Sequence, residues 1–368
     1  MGNINVSSVV RKTIMNILLL SRYTRLGASS RLRTMQYLPD LASNGFKIES
    51  VPFFDDIYLR ELYKGDRNNI SIIKYLFERI GKIMKYSSAD LIWIEKEALP
   101  WIPWFIEGSL LPKNVPIVTD YDDAVFHRYD MHKRKLIRTM LSSKIKKIMK
   151  NSSLVISGNS YLNSYAINAG AKKTFIVPTV VDLNTYNFKE KSLDKNIACV
   201  GWIGTPQTWQ ELAHPIHQIL SPILKKNGAI FRAIGASMEP SINDTLEITP
   251  WTEESEVKLI QSMDIGVMPL PDNPWTRGKC GYKLIQYMAC GLPVVASSVG
   301  VNCDIVENGI NGFLVDNDDD WQKAIEKLLN DPGLRKEMGK AGRKKIEQQF
   351  SLQTWGPRVA KMFEDVCN

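Results

Sequence analysis

Short apolar runs alternate with helix-periodic segments through the first half of the chain. The runs that predict strands cover residues 15–21, 48–53, 91–95, 117–120, 154–157 and 175–177. Between them, apolar residues recur at helical spacing over residues 30–43, 70–86 and 133–150. Because the strand candidates are apolar on both faces, they predict an α/β domain in which helices cover both sides of a parallel sheet.

The same alternation restarts in the second half. Strand candidates there cover residues 197–200, 230–234, 246–248, 265–268, 294–296 and 313–315. Helix candidates cover residues 209–225, 253–262, 282–289, 321–329 and 333–350. The pattern predicts two Rossmann-like domains, at residues 1–180 and 196–345, joined by a polar linker at 181–195. A helix within 346–368 is expected to return to the first domain.

Length and composition agree with this division. A chain of 368 residues exceeds one ordinary core, and a hydrophobic content of 44% is typical of soluble globular proteins. The apolar run at 14–20 is too short for a membrane span and lacks a following cleavage site, so it predicts a buried strand. The five cysteines show no metal-ligand spacing, which favours free thiols and a cytoplasmic location.

The net charge of +8 is concentrated in the first half. Residues 1–185 hold 27 Lys and Arg against 16 Asp and Glu, whereas residues 186–368 hold 20 against 23. Residues 131–150 carry eight basic residues and no acid, with apolar residues at helical spacing. Such a helix could lie on an anionic membrane surface, or it could be a core helix with a solvated basic face. Nucleic acid is not expected, because no recognition motif accompanies the charge.

The stretch 277–300 carries the clearest chemical signal. Arg277, Lys279 and Lys283 surround the start of a predicted helix, whose unpaired N–H groups favour a phosphate. These cations predict a diphosphate site if the helix start faces a cleft. The alternative is a basic, solvated turn before a core helix.

The residues that follow, Met-Ala-Cys-Gly-Leu-Pro-Val at 288–294, resemble the donor-site segment of retaining nucleotide-sugar glycosyltransferases of family 4. The resemblance implies a GT-B fold, with two Rossmann-like parallel-sheet domains facing across a cleft. It also implies a nucleotide-diphosphate sugar as donor and no metal cofactor. Two family glutamates fall on Gly278 and Gln286. Gln286 could still hydrogen-bond the donor ribose, whereas Gly278 cannot contact the transferred sugar as glutamate does.

The loop after the first predicted strand is a second part of the expected donor site. It contains Gly27, Ala28, Ser29, Ser30 and Arg31, and such a loop can bring backbone N–H groups close to an anion. The dinucleotide fingerprint GxGxxG is absent, which disfavours NAD or FAD. The alternative is a serine N-cap followed by surface arginines.

Acidic residues follow the strand candidate at 117–120. Carboxylates at the C-terminal end of a parallel strand point into the ligand crevice, so Asp122 or Asp123 is expected to bind or deprotonate the acceptor hydroxyl. His127 is an alternative base. Helix capping by the two aspartates is an equally simple interpretation, and a metal-binding role is disfavoured because too few ligands are present.

The remaining substrate-binding candidates lie in the second half. By the resemblance, the loop with Gly201, Gly204 and Thr205 lies near the diphosphate, although it lacks the family's Arg and Lys. Pro250 and Trp251 are placed at the nucleotide base, although a half-buried core tryptophan is an alternative. The expected helix start completes the site with Arg277, Lys279, Cys280, Gly281, Tyr282, Lys283 and Gln286.

These observations lead to one expected function. The resemblance implies retaining transfer of a sugar to a saccharide acceptor, and the basic helix suggests a lipid-linked acceptor at the inner face of the cytoplasmic membrane. Bacterial surface polysaccharide or lipopolysaccharide assembly would fit such an acceptor. The alternatives are a sugar-nucleotide 2-epimerase of the same fold and a catalytically inactive binding module, since both family glutamates are absent.

Overall fold

The computed structural model describes residues 14–64, 69–86, 89–188, 197–237 and 244–367. The first domain contains one parallel sheet whose strands are ordered β2-β1-β3-β4-β5-β6. Its strands are β1 (Met15–Leu20), β2 (Phe46–Ser50), β3 (Leu91–Glu95), β4 (Ile117–Tyr121), β5 (Leu154–Ser157) and β6 (Thr174–Ile176).

Nine helices of this domain lie in the described part of the chain. They are α1 (Ala28–Arg33), α2 (Leu38–Ser43), α3 (Asp56–Lys64), α4 (Asn69–Lys85), α5 (Trp104–Leu110), α6 (His127–Asp130), α7 (Lys135–Leu141), α8 (Lys144–Asn151) and α9 (Ser160–Asn168). A 3-10 turn, Met35–Tyr37, connects α1 to α2.

The second domain repeats the architecture with the strand order β12-β11-β10-β7-β8-β9, again parallel. Its strands are β7 (Cys199–Ile203), β8 (Ile230–Ile234), β9 (Leu246–Thr249), β10 (Ile265–Met268), β11 (Val294–Ser297) and β12 (Gly312–Val315). Its helices are α10 (Pro206–Thr208), α11 (His214–Lys226), α12 (Glu256–Gln261), α13 (Pro274–Arg277), α14 (Tyr282–Ala289), α15 (Asn302–Ile305), α16 (Asp318–Asn330) and α17 (Pro332–Gln349). A π-helical turn, Trp209–Ala213, precedes α11.

Both faces of each sheet are buried, which confirms the predicted α/β class with parallel sheets. In β1, Ile17 and Leu19 join one apolar cluster while Leu18 and Leu20 join another on the opposite face. This alternation follows from the two-residue repeat of a strand. Burying each such side chain contributes about 1.5–3 kcal/mol, so both helical layers are held firmly.

The last helix, α18 (Leu352–Cys367), packs against the first domain. The Phe363 ring meets the Trp93 ring edge to face at a centroid distance of 4.9 Å and also contacts Phe46. The chain therefore crosses between the domains a second time, and this crossing limits how far they can separate.

The basic segment 131–150 does not form the single helix that was predicted. It is divided into α7 and α8, which are separated by Ser142 and Ser143. At the start of α8 the Lys144 ammonium is buried and forms ion pairs with Glu97 at 2.6 Å and Glu107 at 3.0 Å. The predicted helix 30–43 is likewise divided, at Thr34, whose hydroxyl donates to the Ser30 carbonyl. In the described part of the chain, none of the helices combines the length and the hydrophobicity of a membrane span.

Candidate active site at the interdomain cleft

The N-terminus of α14 lies at the boundary between the two domains. Gly281 precedes it with φ +67°, and a Cβ at this position would lie 2.3 Å from Ile305 Cδ1, so only glycine fits this turn. The turn directs the start of α14, with Lys279 and Lys283, toward the first domain. The expected cationic helix start therefore faces the cleft.

Lys283 is a half-buried cation on the first turn of α14. Among the described residues it has no ion pair or hydrogen bond, and its ammonium lies 5.6 Å from the centre of the Trp202 ring. Burial and the nearby Lys279 lower the pKa of Lys283 to about 8, against a smaller opposing effect of Asp123. A bound anion would relieve both unfavourable effects.

Lys279 connects the two domains directly. Its ammonium forms an ion pair with Asp123 Oδ1 at 2.8 Å, and its carbonyl accepts a hydrogen bond from Asn159 Nδ2 at 2.9 Å. The next residue, Cys280, donates its thiol proton to the Asp122 carbonyl at 3.0 Å. The loop before α14 is thus docked on the ends of β4 and β5.

Gly278, at the position of the first family glutamate, permits this docking. A Cβ there would lie 2.6 Å from Ala124 Cβ and 2.8 Å from Ala124 N, distances that no side chain can adopt without movement. The same close packing occurs at Gly158, where a Cβ would lie 2.2 Å from Cys280 Sγ. At both glycines the two domains therefore approach each other directly.

On the N-terminal side, Asp122 is held by two partners. Ser29 Oγ donates to Asp122 Oδ2 at 2.6 Å, and the Lys96 ammonium lies 2.8 Å from Asp122 Oδ1. Burial alone would raise the pKa of Asp122, but the charge and hydrogen bond of Lys96 and the hydrogen bond of Ser29 outweigh it. The pKa of Asp122 is consequently well below its usual range, and the group is a weak base.

Asp123 is the more accessible of the two carboxylates, with 20% of its side chain exposed. Its ion pair with Lys279 is the one charged contact across the cleft made by this acidic loop in the described part of the chain. A ligand anion that binds Lys279 would therefore compete with Asp123 for the same ammonium.

His127 is half-buried and has a partner for each ring nitrogen. Its Nδ1 contacts Asp130 at 2.9 Å and its Nε2 contacts the Tyr161 hydroxyl at 2.8 Å. A pocket of about 230 Å³ adjoins Tyr161 and is shared by both domains. It is lined by Asn159, Ser160, Tyr161, Asp272, Arg277, Ser298, Val299, Gly300 and Val301.

Arg277 lines this pocket rather than the start of α14. Its guanidinium forms two hydrogen bonds to Asp272, at 2.6 and 2.8 Å, and both side chains are about half exposed. Arg277 is thus already paired, in contrast to Lys283.

Arg31 and Trp251 face each other across the cleft. The Arg31 guanidinium lies 5.8 Å from the centre of the Trp251 ring and 3.7 Å from Glu253, which also pairs with Arg25 at 3.0 Å. Trp251 Nε1 donates to Glu256 at 2.7 Å, which fixes the ring. The adjoining Pro250 is exposed.

Gln286 is buried, and its side chain is used inside the C-terminal domain. Its Nε2 donates to the Tyr186 hydroxyl at 2.8 Å. That hydroxyl in turn contacts Tyr282 at 3.2 Å and donates to Glu256. Gln286, which the resemblance aligns with the second family glutamate, is therefore part of a hydrogen-bonded network that includes Tyr186 of the interdomain segment.

Several expected binding residues have a clear packing role. A Cβ on Gly201 would lie 1.8 Å from Met263 Sδ, and one on Gly204 would lie 2.4 Å from Trp202 Cζ2. Thr205 caps α10, because its hydroxyl accepts a hydrogen bond from the Thr208 N–H.

The expected binding residues of the loop after β1 also have structural roles. A Cβ on Gly27 would collide with Tyr23, and Ala28 is the first residue of α1. Ser30 Oγ donates a hydrogen bond to Glu95 at 2.5 Å.

Sequence reasoning missed Lys96, which lies at the C-terminal end of β3. The signal was the acidic-basic-acidic triplet 95–97 after an apolar strand, since polar side chains at that end of a parallel strand face the crevice. Its partners Ser29 and Asp122 are far away in the sequence, so their convergence could not be deduced from spacing.

The C-terminal half of the chain is similar in sequence to known glycosyltransferases. The model of the family described as "Glycosyl transferases group 1" matches residues 194–331, which lie in the C-terminal half of the chain. The capsular polysaccharide biosynthesis glycosyltransferase CapM of Staphylococcus aureus is 37% identical over 92 residues, which cover 24% of each protein. The chain therefore matches only about a quarter of that relative's length.

Solved structures share the arrangement over almost the whole chain. Sucrose-phosphate synthase from Thermosynechococcus elongatus has a TM-score of 0.69 at 16% identity, covering 96% of this chain and 99% of that one. Anabaena Alr3699/HepE in complex with UDP has a TM-score of 0.69 at 16% identity, covering 95% and 100%. The fold is GT-B, and together with the family match it supports a glycosyltransferase.

Proposed function

We propose that this protein is a retaining glycosyltransferase that uses a nucleotide-diphosphate sugar as donor. The observation that carries the proposal is the cationic start of α14, where Lys283 has no anionic partner among the described residues and Lys279 reaches across the cleft. Unpaired N–H groups and two ammonium groups favour a diphosphate. The UDP and UDP-glucose complexes of Anabaena Alr3699/HepE support the same class of donor.

The diphosphate is the leaving group of the proposed reaction. As the glycosidic bond breaks, negative charge develops on the diphosphate, and Lys279 and Lys283 stabilise it electrostatically. The proposal assigns this role to the two lysines and requires no metal cofactor. Retention rests on the resemblance of residues 288–294 to family 4, and no protein nucleophile is assigned.

Donor binding is expected to change the partner of Asp123. The diphosphate competes with Asp123 for Lys279, and release of that ion pair exposes the Asp123 carboxylate to the cleft. A freed carboxylate can orient an acceptor hydroxyl and accept its proton. Asp122 is less suited to this role because Lys96 and Ser29 already occupy its two oxygens.

The acceptor is proposed to be a lipid-linked saccharide at the cytoplasmic membrane face, as in surface polysaccharide assembly. Around α5 and α7 the first domain exposes the large apolar side chains of Trp101, Phe105, Met131, Leu136 and Met140, from 45% to 73% of each residue. The Trp101 ring lies 5.9 Å from the His132 ring, which connects the two helices' surfaces. Lys133, Arg134 and Lys135 are exposed beside them and complement an anionic membrane.

Vesicle sedimentation tests this location. Wild-type protein is expected to bind vesicles of anionic phosphatidylglycerol and to bind neutral phosphatidylcholine weakly. Leu136→Glu should reduce the binding several-fold, whereas Ile310→Glu, at a side chain exposed in the other domain, should not. Equal loss in both variants would contradict a specific surface around α7.

A panel of nucleotide sugars, assayed with and without membrane extract as acceptor source, tests the reaction. Acceptor-dependent release of free nucleotide is the expected result. An isomerised sugar nucleotide formed without acceptor would indicate an epimerase, and binding of every donor without turnover would indicate a binding module. Either outcome would overturn the proposed transfer.

A further inference from the structure

Lys96 has a strained backbone at the edge of the cleft. Its φ is +67°, a conformation that side-chain-bearing residues rarely adopt, and the Glu97 N–H donates to the Glu95 carbonyl at 2.8 Å. This three-residue turn with positive φ is rare and costly. Strain of this kind persists where the surrounding structure enforces it, often at functional sites.

At the strained turn, the Lys96 ammonium is buried and contacts side chains of two other loops. The side chain is 3% exposed, and Nζ lies 2.8 Å from both Asp122 Oδ1 and Ser29 Oγ. The same nitrogen lies 3.9 Å from Asp123 Oδ2. One ammonium therefore joins the loop after β1 to both carboxylates after β4.

We propose that Lys96 is a positioning residue for glycosyl transfer, which keeps Asp122 and Asp123 in place after the donor has taken Lys279. The inference rests on the proposed function, because its role begins when the diphosphate removes the only other cation that contacts Asp123 in the described part of the chain. Without Lys96, two adjacent carboxylates would repel each other and move apart.

The charged and titratable groups around Asp122 come from four elements. Lys96 follows β3, Arg33 lies on α1, and Cys280 approaches from the C-terminal domain. Asp120 and Asp123 belong to its own strand and loop, and Asp123 is also the partner of Lys279. Lys96 gives the largest favourable effect on the Asp122 carboxylate, so its removal leaves burial to raise the pKa of Asp122.

The test compares Lys96→Met, which keeps the length of the side chain, with Lys96→Arg, which keeps the charge. Lys225→Met, at an exposed lysine of α11, is the control. In Lys96→Met we expect kcat to fall about a hundredfold, since small displacements of reacting groups have effects of that size. The KM for the donor should change little, because Lys96 does not bind the diphosphate. Lys96→Arg should recover part of kcat.

The pH profile separates positioning from simple stabilisation. In the wild type, protonation of Asp122 should not lower kcat/KM down to about pH 5, because the pKa of Asp122 is far below its usual value. In Lys96→Met, kcat/KM should fall as the pH falls, because the Asp122 carboxylate becomes protonated in that range. A 13C NMR titration of the aspartate carboxyls follows the same change without activity.

A variant that melts at lower temperature but keeps the wild-type kcat and pH profile would overturn the proposal. If Lys96→Met does not fold, Ser29→Ala is tested instead, because it removes a hydrogen bond from the same cluster without changing its charge. Ser29→Ala should then lower kcat at least several-fold, and an unchanged kcat would count against positioning by this cluster. A wild-type enzyme that turns over no donor would instead refute the proposed function, and this inference with it.

Discussion

On the N-terminal edge of the cleft, Lys96, Asp122 and Ser29 are bound to one another, whereas on the C-terminal edge Lys283 lacks an anionic partner among the described residues. The first set of groups is ion-paired and hydrogen-bonded within the N-terminal domain. The second leaves a partly desolvated cation whose charge is unfavourable until an anion arrives. We therefore propose that the N-terminal edge positions groups and that the C-terminal edge binds the ligand.

The largest expected effect comes from removing the unpaired cation. Lys283→Met should lower kcat/KM for the donor by about a hundredfold to a thousandfold, because one stabilising group for the leaving-group charge is lost. The melting temperature should not decrease, since Lys283 makes no ion pair in the described structure. Steady-state assays and thermal denaturation measure the two quantities, with Lys225→Met as the control. Full activity in Lys283→Met would contradict the proposal that the C-terminal edge binds the donor through Lys283.

The ion pair across the cleft gives the next effect. Asp123→Asn should reduce transfer about tenfold or more, because the freed carboxylate is missing from the acceptor side. The same change should leave UDP binding unchanged or tighter, since Lys279 loses its competing partner. Titration calorimetry and acceptor-dependent turnover measure the two effects. Asp304→Asn, at an exposed aspartate, is the control. Parallel loss of binding and turnover would show that Asp123 only supports the fold.

A smaller effect should appear in the pH dependence of ligand binding. Because the pKa of Lys283 is about 8 in the free protein and a bound diphosphate raises it, binding above pH 8 requires proton uptake. UDP affinity should therefore fall several-fold between about pH 7.5 and about pH 9.5. Calorimetry in buffers of different ionisation enthalpy measures the uptake.

Lys283→Arg provides the matched control for this dependence, because arginine stays charged throughout the range. Its UDP affinity should not vary with pH in this way. An identical decrease in both proteins would assign the titration to another group.

The smallest expected effect concerns the contact between the domains. Gly278→Ala places a Cβ within 2.6 Å of Ala124 Cβ, so the docked loop must shift. We expect a several-fold loss of activity and a small increase in the radius of gyration measured by X-ray scattering. Gly81→Ala, where a Cβ meets nothing within 4 Å, is the control. If Gly278→Ala matches that control, the close contact is dispensable.

The sequence predicted the fold more completely than the site. Each of the twelve predicted strands overlaps an observed one, because buried parallel strands are continuous apolar runs. The single helix predicted at 131–150 is wrong, since the structure has two helices there. The pattern also could not reveal that Lys144 forms buried ion pairs with Glu97 and Glu107. Local periodicity carries no information on such distant partners.

The same limit applies within the site. Lys279 and Lys283 lie in one short motif that could be recognised, whereas Lys96 depends on loops after β1 and β4 that meet only in the folded chain. Gln286 matched the family position, yet Tyr186 from the interdomain segment binds its side chain. Motif spacing therefore indicated the two lysines of the C-terminal edge. It could not indicate the contacts among Lys96, Asp122 and Ser29 on the N-terminal edge.

A crystal structure of the wild-type protein with UDP would show where the diphosphate binds. We expect the diphosphate at the N-terminus of α14, with Lys279 and Lys283 bound to its oxygens and Asp123 no longer in contact with Lys279. A diphosphate bound elsewhere, for example in the pocket lined by Arg277 and Tyr161, with the Lys279–Asp123 ion pair intact, would contradict this expectation.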